Sequence, residues 1–293
     1  MRICVFSRGY DPVFKSEIET IIDFVQKTKG QLLFYEHMKA EVEKAFSLPA
    51  GTVFLSRHGC SDPCADLMLS LGGDGTLLET VNLIKDSDVP VMGVNFGRLG
   101  FLSNIPKESL RAALDDFSNG NYSLSGRTVL EIDDCKSFFG QDVYALNDVS
   151  LHKSDISTMI SVTALINGEF MNNYWSDGLI LATPTGSTAY SLSCGGPIMV
   201  PEAGNFILTP IAPHNLSFRP LVIPDHAEIT LIPEGRTDNF VLSLDSNQAF
   251  IQRGQKVVIR KAPFTIKFVR FPEDSFFSII REKLMWGKDN RNQ

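Results

Sequence analysis

The chain has 293 residues, 43% of them hydrophobic and 21% charged, with a net charge of −7. That length admits one large or two ordinary domains with a sizeable core, and the acidic balance argues against nonspecific nucleic-acid binding as the main task. No apolar run reaches membrane-spanning length, and Met1-Arg2-Ile3-Cys4-Val5-Phe6 reads as a first strand rather than a signal peptide, so the expected compartment is the cytoplasm.

The first third alternates strand and helix. Ile3 to Phe6 predicts a strand, and Ile18, Ile21, Ile22 and Val25 mark one face of a helix. Leu32 to Tyr35 predicts a second strand, roughly Lys39 to Phe46 a charged helix, and Leu67 to Leu71 a third strand. Leu77, Leu78, Val81 and Ile84 place a helix over Thr76 to Lys85, followed by a strand over Val89 to Asn95 and a helix marked by Leu110, Leu114 and Phe117. Such alternation predicts a Rossmann-like α/β domain with a mostly parallel sheet over 1–120.

Near residue 120 the period changes to two. Ile160 to Ile166 and Glu169 to Trp175 flank Asn167-Gly168, the strongest short hairpin signal. Further strands are expected over Ala227–Ile232, Phe240–Leu244, Lys256–Arg260 and Thr265–Phe271, and the prolines at 184, 197, 201, 210, 213, 220 and 224 exclude long helices there. Residues 121–265 therefore read as a β-rich domain. The remainder, 266–293, carries Phe276, Phe277, Ile280 and Leu284 at helical spacing and is expected to pack back on the first domain.

The chemistry concentrates in a few segments. Leu71-Gly72-Gly73-Asp74-Gly75-Thr76 follows an apolar strand and precedes a helix, so its glycine amides and the helix N-terminus form a phosphate cradle around a carboxylate. Gly-Asp-Gly is also ordinary turn chemistry. The glycines of the loop Gly93 to Leu102 let a ligand or another backbone approach closely or form a tight connection between domains, and its Arg98 either faces phosphate or is solvated. Asn147-Asp148 sits in an alternating run; the amide suits an adenine edge and the acid suits ribose hydroxyls, although a turn or edge is the commoner reading.

The segment Ser176 to Pro197 is the most specific. Beside Asp177, six hydroxyl side chains lie between 183 and 191, and Tyr190 offers an aromatic face. Pro213 to Pro220 shapes the domain without assignable chemistry. The cysteines, Cys4, Cys60, Cys64, Cys135 and Cys194, are odd in number and include no Cys-x-x-Cys, which disfavours a disulfide framework. Cys60, Cys64 and His58 lack a fourth ligand for zinc. P-loop and dinucleotide-dehydrogenase fingerprints are both absent.

In this order and spacing, Gly72-Gly73-Asp74-Gly75, the 93–102 loop, Asn147-Asp148, the 176–197 segment and Pro-His-x-Leu-x-x-Arg-Pro at 213–220 resemble the bacterial NAD kinase family over nearly the whole chain. The resemblance implies an all-β fold for the C-terminal domain, and transfer of the γ-phosphoryl of ATP to the 2′-hydroxyl of the adenosine ribose of NAD, with a divalent metal, Mg²⁺, held mainly by phosphates. It implies Asp74 as general base. It implies dinucleotide contacts at Asp74, Gly75, Asn147, Asp148, Asp177, Thr188, Ala189, Tyr190, Ser191, Leu192, Ser193 and Asn247, with no metal-binding residue named. A homodimer or homotetramer, with no nucleic-acid or membrane partner, is expected. Two departures stand out: Trp175 occupies a place that is basic in many relatives, and Asn247 one where Gln is usual. Gly-Gly-Asp-Gly also occurs in lipid kinases and phosphofructokinases, and a nucleotide sensor that keeps the fold without catalysis is the alternative from another class.

Overall fold

The computed structural model describes residues 1–56, 65–97, 100–103, 105–155 and 159–286. The chain divides into two compact units: Met1–Gly126 together with the chain from Ile266 onward, and Arg127–Thr265.

The first unit begins with β1 (Arg2–Phe6), α1 (Lys15–Lys27), β2 (Gln31–Tyr35), α2 (Lys39–Ala45) and β3 (Val53–Leu55). It continues through β4 (Leu67–Leu71), α3 (Asp74–Ile84), β5 (Val91–Asn95), β6 (Ile105–Pro106) and α4 (Leu110–Asn119). Strands β5, β4, β1, β2 and β3 lie side by side in that order, all parallel. Strand β4 is buried at every position, LMLSL, because helices cover both faces of a parallel sheet. Helix α1 turns Ile18, Ile21, Ile22 and Val25 into a core shared with Leu67, Leu69 and Leu114. Helix α3 starts at Asp74, two residues before the apolar spacing begins, because the turn residues themselves adopt helical geometry.

The second unit is built from the rest of β7 (Ser123–Ile132), α5 (Cys135–Phe139), β8 (Asp148–Lys153), β9 (Ile160–Ile166), β10 (Glu169–Ser176), β11 (Gly178–Ala182) and α6 (Tyr190–Ser193). It continues with β12 (Asn205–Ile211), β13 (Leu221–Pro224), β14 (Ile229–Glu234), β15 (Asn239–Leu244), β16 (Asn247–Gln252) and β17 (Val257–Arg270). Six antiparallel strands run in the order β13-β12-β11-β8-β15-β16, while β10, β9, β14 and β17 form a second layer. Between them lies one core: Val149, Leu151, Leu179, Leu181, Leu208 and Leu242 from one layer meet Val162, Ala164, Ile229, Leu231 and Ile259 from the other. The Asn167-Gly168 hairpin forms as predicted, with φ of 51° and 79° at its two central residues.

Two expectations change. The segments 256–260 and 265–271 are a single strand, β17, because Pro263 stands at an outward-facing position of the strand. Strands β3, β7, β12, β13 and β16 were not anticipated. The division between units falls inside β7 and inside β17, and the last helix, α7 (Phe276–Lys283), belongs with the first unit. Its N-cap Ser275 accepts the Ser278 amide. Among the described residues no helix is long and apolar enough to cross a membrane.

Leu231 is fully buried in the inter-sheet core. Leu231→Ala is expected to destabilise the protein by about 2–5 kcal/mol, read from the shift of the urea midpoint; a change below a tenth of that would place the core elsewhere.

Candidate functional site

In the first unit the site is organised by Asp74. The Gly72-Gly73 turn delivers it from the end of β4 into the first turn of α3, with Gly73 as N-cap. Gly72 has φ of 147°, and a β-carbon there would stand 2.5 Å from Thr76 Oγ1. The Asp74 carboxylate accepts three successive main-chain amides: Phe101 N to Oδ2 at 2.9 Å, Leu102 N to Oδ1 at 3.2 Å and Ser103 N to Oδ1 at 2.9 Å. Gly100 is required by the same contact, since a β-carbon on it would overlap Asp74 Oδ1. The 93–102 loop therefore uses its glycine to admit the acid rather than a ligand. Arg98 lies outside the described residues, as do Cys60, Cys64 and His58.

A carboxylate offers about four acceptor positions. Three are taken, and Oδ2, with one amide, keeps room for a further donor such as a hydroxyl. The amides of Asp74 and Gly75 open α3 without an intrahelical acceptor and favour an anion beside the acid, while Thr76 N donates to Gly73 O at 3.0 Å. Arg8, missed in the sequence, donates to Gly75 O at 3.1 Å and pairs with Glu79 at 2.6 Å. No pattern in the sequence links position 8 to position 75; only the parallel adjacency of β1 and β4 does.

In the second unit the alternation of β8 decides what is presented. Val149 and Leu151 enter the inter-sheet core, which turns Asp148, Ser150 and His152 to the opposite face. Asp148 is 8% exposed, and among the described residues nothing donates a hydrogen bond to its carboxylate. Burial, reinforced by the negative Asp245, pushes it up to about 7. Asp245 is itself pushed up to about 6 by burial, against the pull of three amides: Leu146 N at 2.8 Å and Asn147 N and Asp148 N at 3.0 Å each. Asp245 as a whole residue is half-buried, and its carboxylate is met by those three amides.

The 183–197 segment supports this corner. Thr183 donates through Oγ1 to Leu146 O at 2.5 Å and through N to Asn147 O at 2.8 Å. Gly186 lies against the Asn147 backbone so closely that a β-carbon would overlap it. The dense hydroxyls mostly build the loop: Ser187 bonds Pro184 O and Thr188 bonds Thr185 O, while Ser191 shares a hydrogen bond with Thr209. Thr185 Oγ1 is buried without a partner. Ser191 is thus buried structure, whereas Tyr190 and Ser193 are exposed and Thr188, Ala189 and Leu192 partly so.

Tyr190 lies stacked with His152, ring centroids 5.7 Å apart. Burial raises the Tyr190 hydroxyl, and Cys194, Asp148 and Asp177 add to this, placing all four in one electrostatic neighbourhood. Burial lowers His152, which favours a neutral ring. Asp177 is not free: Lys153 Nζ holds its Oδ1 at 2.6 Å, a partner that sequence spacing did not reveal. Asn247 opens β16 and reaches only Leu244 O, at 3.4 Å. The 213–220 segment folds on itself and on β10, with His214 N donating to Trp175 O at 2.9 Å and Arg219 donating to Leu216 O and Phe218 O.

Comparison with known proteins agrees across both units. The sequence model of the ATP-NAD kinase N-terminal domain matches residues 30–122 and that of the C-terminal domain residues 146–271. The chain belongs to the NAD kinase family. An NAD kinase from Cytophaga hutchinsonii is 43% identical over 277 residues, 94% of each chain, and one from Flavobacterium psychrophilum is 39% identical over 295 residues, 100% of each. Among solved structures, yeast NADH kinase complexed with NADH superposes with a TM-score of 0.84 at 25% identity, covering 100% of this chain and 90% of that one. An NAD kinase from Archaeoglobus fulgidus in complex with ATP shares the fold, with a TM-score of 0.74 at 24% identity, covering 97% and 99%. The α/β first unit and antiparallel second unit are thus the NAD kinase fold.

The raised Asp148 fixes a sign for stability in this NAD kinase. Its anion is disfavoured in the fold, so the cost is full above pH 7, shrinks as pH falls from about 7 towards the ordinary 3.8, and is gone below that. Asp148→Asn should raise stability at pH 8 by on the order of 2 kcal/mol, the carboxylate penalty of up to about 4 less the burial of an unpartnered amide. Thermal melts at pH 8 and pH 4 would show a gain at the first and none at the second; equal gains at both would refute the assignment.

Proposed function

We propose that this protein transfers the γ-phosphoryl group of ATP to the 2′-hydroxyl of the adenosine ribose of NAD, giving NADP. The observation that carries the reading is the Asp74 carboxylate, fixed by three amides beside a helix N-terminus with one acceptor position on Oδ2 left. Phosphoryl transfer asks for alignment and charge stabilisation more than covalent chemistry. Asp74 receives the hydroxyl's hydrogen bond, aims its oxygen at phosphorus and takes its proton as the new bond forms. The first-turn amides of α3, Gly75 included, stabilise charge on the transferring group.

Recognition of the dinucleotide is assigned to the second unit. Asp148, buried without a donor, accepts ribose hydroxyls, and Asn147 meets the adenine edge. Tyr190 supplies a ring face, with Thr188, Ala189, Leu192 and Ser193 around it; Asp177 and Asn247 complete the contacts, and Ser191 acts through the loop it holds. Among the described residues no group of three or more His, Cys, Asp or Glu could hold a metal ion. Mg²⁺ enters with ATP as part of that substrate and neutralises its phosphates. A cytoplasmic homodimer or homotetramer is part of the same proposal. The edge strand β10 supports the oligomer, with Phe170 and Trp175 each 58% exposed and Leu216 of the neighbouring loop 85% exposed.

Pure protein given NAD and MgATP should form NADP, and Asp74→Asn should lower kcat by about 10²–10⁴ with the KM for NAD within about threefold. An equal loss in kcat and in NAD affinity would remove the general-base role; no NADP from the wild-type chain would remove the reaction. Gly100→Ala displaces the carboxylate without altering it, so its kcat should fall at least about tenfold while Tm moves by only a few degrees. Wild-type turnover in that variant would show that the amide grip on Asp74 is dispensable.

A further inference from the structure

Asp245, in the Asp245-Ser246 pair that precedes Asn247, has no role assigned in the proposed reaction, yet its carboxylate accepts three main-chain amides. It occupies the turn between β15 and β16, where Leu244 and Asn247 pair, with a left-handed φ of 50°. Its Oδ2 accepts Leu146 N, and its Oδ1 accepts both Asn147 N and Asp148 N. Its own amide donates to Asp148 O at 3.1 Å. Four hydrogen bonds thus join one residue to three successive residues about a hundred positions earlier in the chain. From the other side Thr183 takes the carbonyls of Leu146 and Asn147.

We propose that Asp245 is a positioning residue: its carboxylate fixes the direction in which Asn147 and Asp148 present their side chains to the dinucleotide. The inference rests on the proposed NAD phosphorylation, in which those two side chains recognise NAD. Stability alone gives little reason for an acid here. It sets a second negative charge against the buried Asp148, and both groups are pushed well above the ordinary carboxylate range by burial. A neutral turn residue would close the hairpin equally well, since Asn adopts left-handed backbone at least as readily as Asp. What Asn cannot do is accept from both sides of the fork: one of its two terminal atoms is a donor and would face the Leu146 N–H.

Asp245→Asn therefore tests the role without disturbing the turn. The expected result is a rise of at least about tenfold in the Kd for NAD, measured by calorimetry, with kcat at saturating NAD within about threefold and the KM for ATP within about twofold. Hydrogen exchange at the Asn147 and Asp148 amides should quicken in the unliganded protein. Leu231→Ala, which destabilises the same unit from the inter-sheet core, serves as the control and should leave the Kd for NAD unchanged. An unaltered Kd in Asp245→Asn, or an equal loss in Leu231→Ala, would overturn the positioning role. A wild-type protein that binds NAD but forms no NADP would overturn the proposed reaction and leave this role standing; one that binds no NAD would overturn both.

Discussion

A carboxylate gripping three successive main-chain amides is the interaction on which each half of this protein depends. Asp74 grips Phe101 to Ser103 in the first unit, and Asp245 grips Leu146 to Asp148 in the second. Charge-assisted bonds of this kind are shorter and stronger than neutral ones. Three in a row fix the direction of a loop as well as its distance. Each grip joins segments far apart in sequence, so loops that would otherwise sample many conformations are tied to strand ends and helix starts.

The two grips differ in what they leave over. Asp74 has only part of its surface buried and retains an acceptor position, as the proposed general base requires. Asp245 is saturated by its amides and turned into the protein, which suits a group that acts on others. Asp148, carried on the loop Asp245 holds, is the complementary case: enclosed, ionisable and without a donor. Strongly perturbed acids concentrate where a protein binds or reacts, and here that carboxylate lies beside Asn147 and in the electrostatic neighbourhood of Tyr190 and Cys194.

Much of this was legible in the sequence, for reasons that are local. The strand-glycine-acid-helix order placed Asp74 at a helix start, and Asn167-Gly168 between alternating runs marked the hairpin of β9 and β10, whose register shifts at Phe170–Asn172. Apolar spacing located α1, α3 and α4 because burial on one helical face imposes a 3.6-residue period. What was missed depends on tertiary adjacency. Lys153 meets Asp177 only because β8 and β11 are neighbours in register, His152 opposite Gly178. Asp245 reaches Asn147 only because β15 lies on the other side of β8. The hydroxyl-rich loop showed a related limit: composition can mark a special segment without showing that Ser187, Thr188 and Ser191 spend their hydrogen bonds on the protein itself. The stretch between the two expected strands, 261–264, proved to be part of one strand, with Pro263 facing outward.

The solitary buried acid on β8 has a thermodynamic corollary. A largely desolvated carboxylate raised to about 7 is electrostatic tension in the fold at neutral pH, and under the proposed function the hydroxyls of an arriving sugar relieve it. Ligand binding then adds the release of that tension to the ordinary mass-action stabilisation. On that reading the chain free of dinucleotide is its less stable form.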